Sequence, residues 1–458
     1  MASHIDAHPL KFNVRRCAPE LIVPAKPTPR ELKPLSDIDC SLVLRRHDHL
    51  IQIYRGDNQN MNNKDPASVI REALSKLLVF YYPFAGRLKE VTKRKLVVDC
   101  TGEGVLFVEA DADVTLEQFG YPLLPLFPCM DELLYDVPGS SGIVDSPLLL
   151  FQVTQLACGS FVFALRFNHA FCDGKGITQF IIGLGEIARG ASTPSILPVW
   201  RRELLCGRDP PRVTRIHHAF DEVIDTQENI IPQDDMTYKS FFFGPNEFSA
   251  LRRLVPKHLK SCSTFDVLTA YLWRSRTIAF QPNPKDNMLL LFAVDTRSKL
   301  KSYIPVGFYG NAFVTIGVTS TVEKLTNEPL SHTLELVMKA KSDVNEEYVR
   351  SLVDLHVIKD RPHRPFVHTY FVSDITRIEK HIVDFGWGKS AYVGPAFGAV
   401  GFGSFYVPFV NKKGKFGIMV GINLPSAAME KFVEELNTIL VQDSNNQDDY
   451  EVFGFSKL

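Results

Sequence analysis

Apolar residues alternate from Phe161 to Phe167, and the period then changes to three and four residues between Ile177 and Ile187. Phe161, Phe163, Leu165 and Phe167 against Val162, Ala164 and Arg166 predict an extended, largely buried strand. Ile177, Phe180, Ile181, Leu184 and Ile187 predict an amphipathic helix. Between the two stand Asn168 and His169 at the strand end, then a turn through Asp173-Gly174-Lys175-Gly176. A strand end holds a side chain rigidly while the turn opens the surface, so a base placed there is both oriented and reachable.

The same patterns extend along the chain. Asp65 as N-cap and Pro66 at the first helical position start a helix whose buried stripe is Val69, Ile70, Ala73, Leu74, Leu77 and Leu78. Lys95 to Asp99 and Val105 to Glu109 predict two strands around the Thr101–Gly104 turn, and Pro147 to Leu156 predicts a strand that turns back into Phe161 as a hairpin. Residues 191–215, with Ser192, Pro194, Pro198, Pro210, Pro211 and several arginines, break the pattern and predict a crossover. The expected organisation is a domain over 1–190, the crossover over 191–215 and a second domain over 216–458. In the second, strands are expected at 241–243, 288–294, 313–318, 366–372 and 415–422, with helices at 245–254, 264–277 and 425–440. Interleaved helices and strands mark an α/β layered architecture. Residues 442–450 are polar and expected to be mobile.

The composition adds exclusions. The chain has 458 residues and a net charge of -1 from 51 basic and 52 acidic residues mixed along it, so no electrostatic footprint for nucleic acid or anionic membrane is present. Its eight cysteines show no C-x-x-C pairing, so no metal site or disulfide framework is expected. No secretory h-region and no membrane-spanning run are seen. The terminal Ser456-Lys457-Leu458 matches the tripeptide read by the peroxisomal import receptor, so the expected location is cytoplasmic or peroxisomal.

H-x-x-x-D occurs twice, at His169–Asp173 and at His217–Asp221. The second has no strand before it and no glycine after it, and reads as a surface coincidence. An isolated strand-end histidine is most often a hydrogen-bonded core residue, yet the first copy has context on both sides. A neutral imidazole with one nitrogen free is what general-base chemistry requires. The Asp173 carboxylate on the turn could hold that imidazole in one tautomer or pin the loop by pairing with a cation elsewhere. Neither a G-x-S-x-G elbow, a Walker loop nor a strand-linked G-x-G-x-x-G is present. Cys172 is followed at once by an aspartate, which disfavours a thiolate nucleophile.

With those residues in view, the chain resembles the plant BAHD acyltransferases along nearly its whole length. His169-Ala-Phe-Cys-Asp173-Gly174 resembles their H-x-x-x-D-G motif and Asp384-Phe385-Gly386-Trp387-Gly388 their D-F-G-W-G. Phe308-Tyr309-Gly310-Asn311 and Asp295-Thr296-Arg297 resemble two further family segments. The resemblance implies an α/β fold of two chloramphenicol-acetyltransferase-like domains, each a mixed sheet layered with helices, with a channel between them. It implies His169 as base for direct attack of an acceptor hydroxyl on an acyl-CoA thioester, with acyl-CoA as co-substrate and no permanently bound cofactor or metal. It further implies a structural Asp173 paired with Arg297, an architectural role for Gly174, Asp384, Gly386 and Trp387, and a monomer. Lys260, Ser263 and Thr264 match a CoA-contacting segment, and are equally read as a capped helix start. Asn168 replaces a second histidine common in the family, and with Phe171 and Cys172 is expected to shape the acceptor pocket.

Three further segments, 27–39, 99–104 and 135–142, resemble the branch of benzyl alcohol benzoyltransferases, fruit alcohol acyltransferases and alkaloid O-acyltransferases. That likeness implies transfer of a benzoyl or other aromatic acyl group to a small alcohol or alkaloid. N-acylation of an amine, or a silent CoA-binding relative, are the alternatives.

Overall fold

The computed structural model describes residues 10–56, 64–120, 123, 129–221, 235–300, 304–362, 368–376, 383–395, 399–400, 403–440 and 452–455. Ser456-Lys457-Leu458, the polar run 442–450 and residues 366–367 of one expected strand lie outside them.

The first half is built on a seven-stranded mixed sheet. Its path runs Val14–Arg16, Val105–Ala112, Leu149–Leu156, Phe161–Asn168, His47–Tyr54 and Tyr392–Pro395, with Glu20–Ile22 also on the Val105 strand. The predicted hairpin is present: Leu149–Leu156 and Phe161–Asn168 pair antiparallel, Leu149 opposite Phe167. On the other side Phe161–Asn168 pairs antiparallel with His47–Tyr54, His47 opposite Asn168. All eight residues of this central strand are buried, because both faces of the sheet are covered. Phe163 and Leu165 pack with Leu74, Leu77, Phe180 and Leu184 of the helices Pro66–Leu77 and Gly174–Ala188. Val162 and Ala164 pack on the opposite face with Ile51, Ile53 and Leu150. Asp65 caps its helix as expected, accepting from the Ala67 and Ser68 amides at 3.2 and 2.7 Å.

The second half holds an eight-stranded sheet in the order Phe313–Thr321, Asn287–Asp295, Thr369–Asp374, Gly403–Val410, Phe416–Pro425, Met236–Phe243 and Val452–Phe455, with Ala399–Val400 on the Gly403 strand. Leu268 and Leu272 of the helix Thr264–Phe280, and Phe432 and Leu436 of Ser426–Leu440, share one core with Leu290 and Phe292 of that sheet. No helix among the described residues is long and apolar enough to cross a membrane.

Three features go beyond the sequence expectations. Leu96–Asp99 and Val105–Ala112 are both present on either side of the turn, but in different sheets: the former joins a small sheet with Leu32–Pro34 and Arg87–Glu90, the latter the large one. Gly104 makes the break, since it sits at φ 96° with its Cα against the Ile22 carbonyl, where a Cβ would come within 2.3 Å of the oxygen. Val383 to Pro395, part of the second domain by chain position, lies on the first half, where Tyr392–Pro395 is an edge strand against His47–Tyr54. The crossover is pinned: Val199 donates to the Gly307 carbonyl at 2.9 Å, and Arg202 is buried against Asp39.

The halves meet where Tyr309-Gly310-Asn311 crosses the start of the Gly174–Ala188 helix. Gly174 was expected to permit the turn there, but a Cβ at Gly174 would meet nothing within 4 Å and its φ is outside the left-handed region. The close approach falls at Gly176, where a Cβ would lie 2.1 Å from the Tyr309 carbonyl oxygen. Gly176→Ala must therefore push the halves apart and is expected to lower stability by about 2 kcal/mol or more, whereas Gly174→Ala should be nearly neutral. Chemical denaturation of both variants checks this, and equal midpoints would refute the assignment.

Candidate active site

His169 ends the central strand with its backbone tied on both sides. Its amide donates to the Arg46 carbonyl at 2.9 Å, and its carbonyl accepts from Asn311 Nδ2 at 2.9 Å. The ring packs at a tilt against Phe167 and Phe313, each with its centroid 5.9 Å away. Nδ1 is buried and finds no hydrogen-bond partner among the described residues. Nε2 faces Asp48, with Oδ2 at 3.5 Å. Burial lowers the imidazole below its ordinary value, the Asp48 carboxylate opposes this, and Arg46 adds to the lowering. The net result is a ring held neutral at physiological pH, the form a general base requires.

Asp173 turns away from the imidazole, which decides between its two sequence roles. It caps the helix by accepting from the Gly176 amide at 2.8 Å. Arg297 grips it in a bidentate pair at 2.8 and 3.0 Å, and the Ala312 amide donates to Oδ2 at 2.9 Å. Burial alone would raise this carboxyl, but Arg297 and the two amides outweigh it and hold it below the usual carboxylate range. Arg297 is in turn bonded to the Gly310 carbonyl at 2.7 Å, so the pair fixes the turn after His169 to the second half.

Asp384 folds its own loop, accepting from the Gly386 and Gly388 amides at 2.7 and 2.8 Å with both glycines at positive φ. Phe385 packs on Phe163 and Tyr54, and Trp387 edge-on to Phe161, at centroid distances of 5.0, 5.4 and 5.2 Å. Phe163 lies about 20 Å along the strand from His169, so this segment is architectural.

The three residues expected to shape the acceptor pocket are buried in the free chain. Asn168 is buried, donating to the Ile143 carbonyl and accepting from the Ala170 amide. Phe171 is fully buried among Phe84, Trp200 and Tyr309. Cys172 is fully buried too, and that burial pushes its thiol well above the usual range, which leaves it no role as nucleophile.

Ser263 caps Thr264–Phe280, accepting from the Asp266 amide at 3.2 Å, with Thr264 in the first turn. Lys260 lines an open groove of about 700 Å³ with Arg252, Arg253 and Lys257, a concentration of positive charge fitted to phosphate groups. His217 is not on the surface: it is buried, bonded through Nε2 to Ser351 Oγ at 2.9 Å and packed edge-on to Tyr348. Asp221 pairs with His218 instead, at 2.7 Å, so the second H-x-x-x-D is a coincidence of spacing. No group of three His, Cys, Asp or Glu able to hold a metal occurs among the described residues.

Two elements of the site were not foreseen. Asp48 comes from His47–Tyr54, a strand whose apolar residues Leu50, Ile51, Ile53 and Tyr54 all lie beyond it. Asn311 is held by Asp39, which accepts from its amide and Nδ2 at 3.0 and 2.8 Å while pairing with Arg202 at 2.8 Å.

The model of the Transferase family matches residues 12–439. The chain is 58% identical to benzyl alcohol O-benzoyltransferase of Petunia hybrida over 439 residues, 95% of each chain. It is 54% identical to 13-hydroxylupanine O-tigloyltransferase of Lupinus albus over 445 residues, 96% of this chain and 97% of that one. Vinorine synthase superposes with a TM-score of 0.72 at 21% identity, covering 93% of this chain and 98% of that one. F. graminearum TRI101 complexed with coenzyme A and T-2 mycotoxin gives 0.66 at 16% identity, covering 88% and 96%. At those identities the two structures share the fold.

Removing the Asp173 charge leaves Arg297 buried without its main partner. Asp173→Asn is expected to destabilise by about 3 kcal/mol, read as a lower denaturation midpoint at neutral pH. Because the folded Asp173 pKa is depressed, its stabilisation is present above the unfolded carboxylate pKa and fades as pH falls through the folded value. The gap between wild type and variant should narrow on acidification, and a gap independent of pH would refute this role.

Proposed function

We propose a function on one premise: the chain belongs to the Transferase family, that of the BAHD acyltransferases. It is an acyl-CoA-dependent O-acyltransferase, and in our reading it carries a benzoyl or other aromatic acyl group to a small alcohol or a hydroxylated alkaloid. The likeness to the benzyl alcohol O-benzoyltransferase and the 13-hydroxylupanine O-tigloyltransferase supports that substrate class.

The observation that carries the reaction is His169, an imidazole kept neutral by burial at a strand end. In the proposed mechanism Nε2 takes the proton of the acceptor hydroxyl as its oxygen attacks the thioester carbonyl. The tetrahedral species collapses by breaking the C–S bond, and the proton passes from Nε2 to the departing CoA sulfur, giving ester and free CoA. No acyl-enzyme is needed, in keeping with the burial of Cys172. We assign the phosphates of CoA to the basic groove at Arg252, Lys257 and Lys260; the complex of TRI101 with coenzyme A supports CoA as a ligand of this fold.

Purified protein given benzoyl-CoA and a panel of alcohols should release free thiol, with the esters identified by mass. His169→Ala is expected to lower that release about 10²- to 10⁴-fold, while folded His217→Ala retains it. Equal losses in the two variants would sink His169 as the base.

We also propose that a chain ending at Leu458 enters peroxisomes through Ser456-Lys457-Leu458. A fluorescent protein fused ahead of Met1 should mark peroxisomes and turn diffuse when the tripeptide is deleted. A diffuse signal from both fusions would end that proposal.

A further inference from the structure

Asp48 is the carboxylate that His169 faces, and the base mechanism as stated gives it no part. It stands in the strand next to the central one, opposite Phe167 in register, and its Oδ2 is 3.5 Å from His169 Nε2. That separation is too long for a direct hydrogen bond. It is close enough for a full charge to act on the ring in a partly desolvated site. Asp48 is 28% exposed at its side chain where His169 is 9% exposed, so it lies on the more open side of the ring. Nδ1 is buried without a partner, so Nε2 is the nitrogen that substrate can reach.

We propose that Asp48 is the counter-ion of the imidazolium formed at His169 during acyl transfer, a positioning residue that acts through the base. The inference rests on His169 being that base. With the ring neutral and its proton on Nδ1, the form the reaction uses, Nε2 offers its lone pair to the acceptor. When the acceptor O–H bond breaks and the N–H bond forms, positive charge appears on the ring 3.5 Å from a carboxylate already in place. A charge fixed where charge develops stabilises the transition state more than the substrate complex. When the proton leaves Nε2 for the CoA sulfur, the ring returns to neutral and Asp48 is unchanged.

Among the described residues the surroundings supply no rival for this part. Asp173, the other nearby carboxylate, is neutralised by Arg297 and spends its oxygens on Gly176 and Ala312. From the other packed elements the ring meets Phe167 and Phe313, and Asn311 reaches only the backbone carbonyl. Arg46 is the opposing charge. It pairs with Asp48 at 2.8 and 3.3 Å and sets how much of the carboxylate's field the ring receives. His47, next to Asp48, is lowered to about 4 by burial and Arg166, so it stays neutral where the reaction is measured.

The test is the pH dependence of kcat and kcat/KM for three variants, each first shown to fold by its melting curve. Asp48→Asn keeps the shape and removes the charge. It should cut kcat about 10- to 100-fold, leave KM for acyl-CoA unchanged, and move the acidic limb to lower pH, because a ring without its counter-ion is harder to protonate. Asp48→Glu should restore the limb toward the wild-type position. Arg46→Gln should move it the other way, to higher pH. A limb unmoved in Asp48→Asn overturns the proposal whatever the loss in kcat. If that variant does not fold, an unmoved limb in Arg46→Gln overturns it equally. Full activity in His169→Ala would instead remove the base itself, so the two failures are told apart.

Discussion

Burial of the Asp173 carboxylate beside Arg297 is the interaction on which the site depends. Moving either ion out of water is costly, and the pair is tolerable only because nearly every oxygen and N–H is satisfied. Here Asp173 accepts from the Arg297 fork and from the Gly176 and Ala312 amides. One carboxylate thereby caps the helix after His169, closes the turn that follows the strand, and binds that turn to the second half. Asp39 repeats the device a short distance away. It takes two bonds from Asn311, two from Ser36 and one from Arg202, and Arg202 is itself covered by Trp200 and Tyr309 at 4.6 and 5.1 Å. Asn311 then holds the His169 carbonyl. Two buried carboxylates, both in the first half, seize segments of the second and fix the histidine between them.

That frame explains how the imidazole can be both buried and available. The backbone bonds fix where the ring starts and packing beside Phe167 and Phe313 limits its turning, and among the described residues no other side chain bonds Nδ1. Burial drives the ring toward the neutral form, while Asp48 drives it toward the charged one. A base tuned by burial alone would be neutral but weak. The two opposed influences allow it to be neutral before reaction without losing the strength to take a proton.

What could be read from the chain followed the range of the interaction. The His169 strand, the helix after it and the Asp65 cap are set by contacts within a few residues, and the period of the sequence carries them. Asp173 with Arg297 became readable through the resemblance of Asp295-Thr296-Arg297 to a family segment, although the bond itself closes only in three dimensions. Asp48 was hidden because His47-Asp48-His49 breaks the apolar alternation at the end of its strand. Asn168, Phe171 and Cys172 were singled out by nearness in sequence, and the structure shows them buried, with Asn168 spent on Ile143 and Ala170. Gly174 drew attention as the motif glycine, while the position that cannot carry a Cβ is two residues on.

Asp384 to Gly388 shows why a short motif can be required far from the chemistry. Its loop is closed by the Asp384 carboxylate, and Phe385 and Trp387 cover Phe163 and Phe161 at the start of the very strand that ends in His169. Tyr54 seals the same corner by donating to the Val383 carbonyl at 2.9 Å, and Tyr392–Pro395 then extends the sheet beside His47–Tyr54. The second half of the chain thus clamps the first at both ends of one strand. At the near end Arg297 and Asn311 hold the turn and the histidine; at the far end two aromatic rings hold the strand's origin. Asp48 belongs to the strand trapped between those clamps and the central one. Its distance to Nε2 is therefore set by sheet register rather than by a loop, which is the rigidity a fixed counter-charge requires.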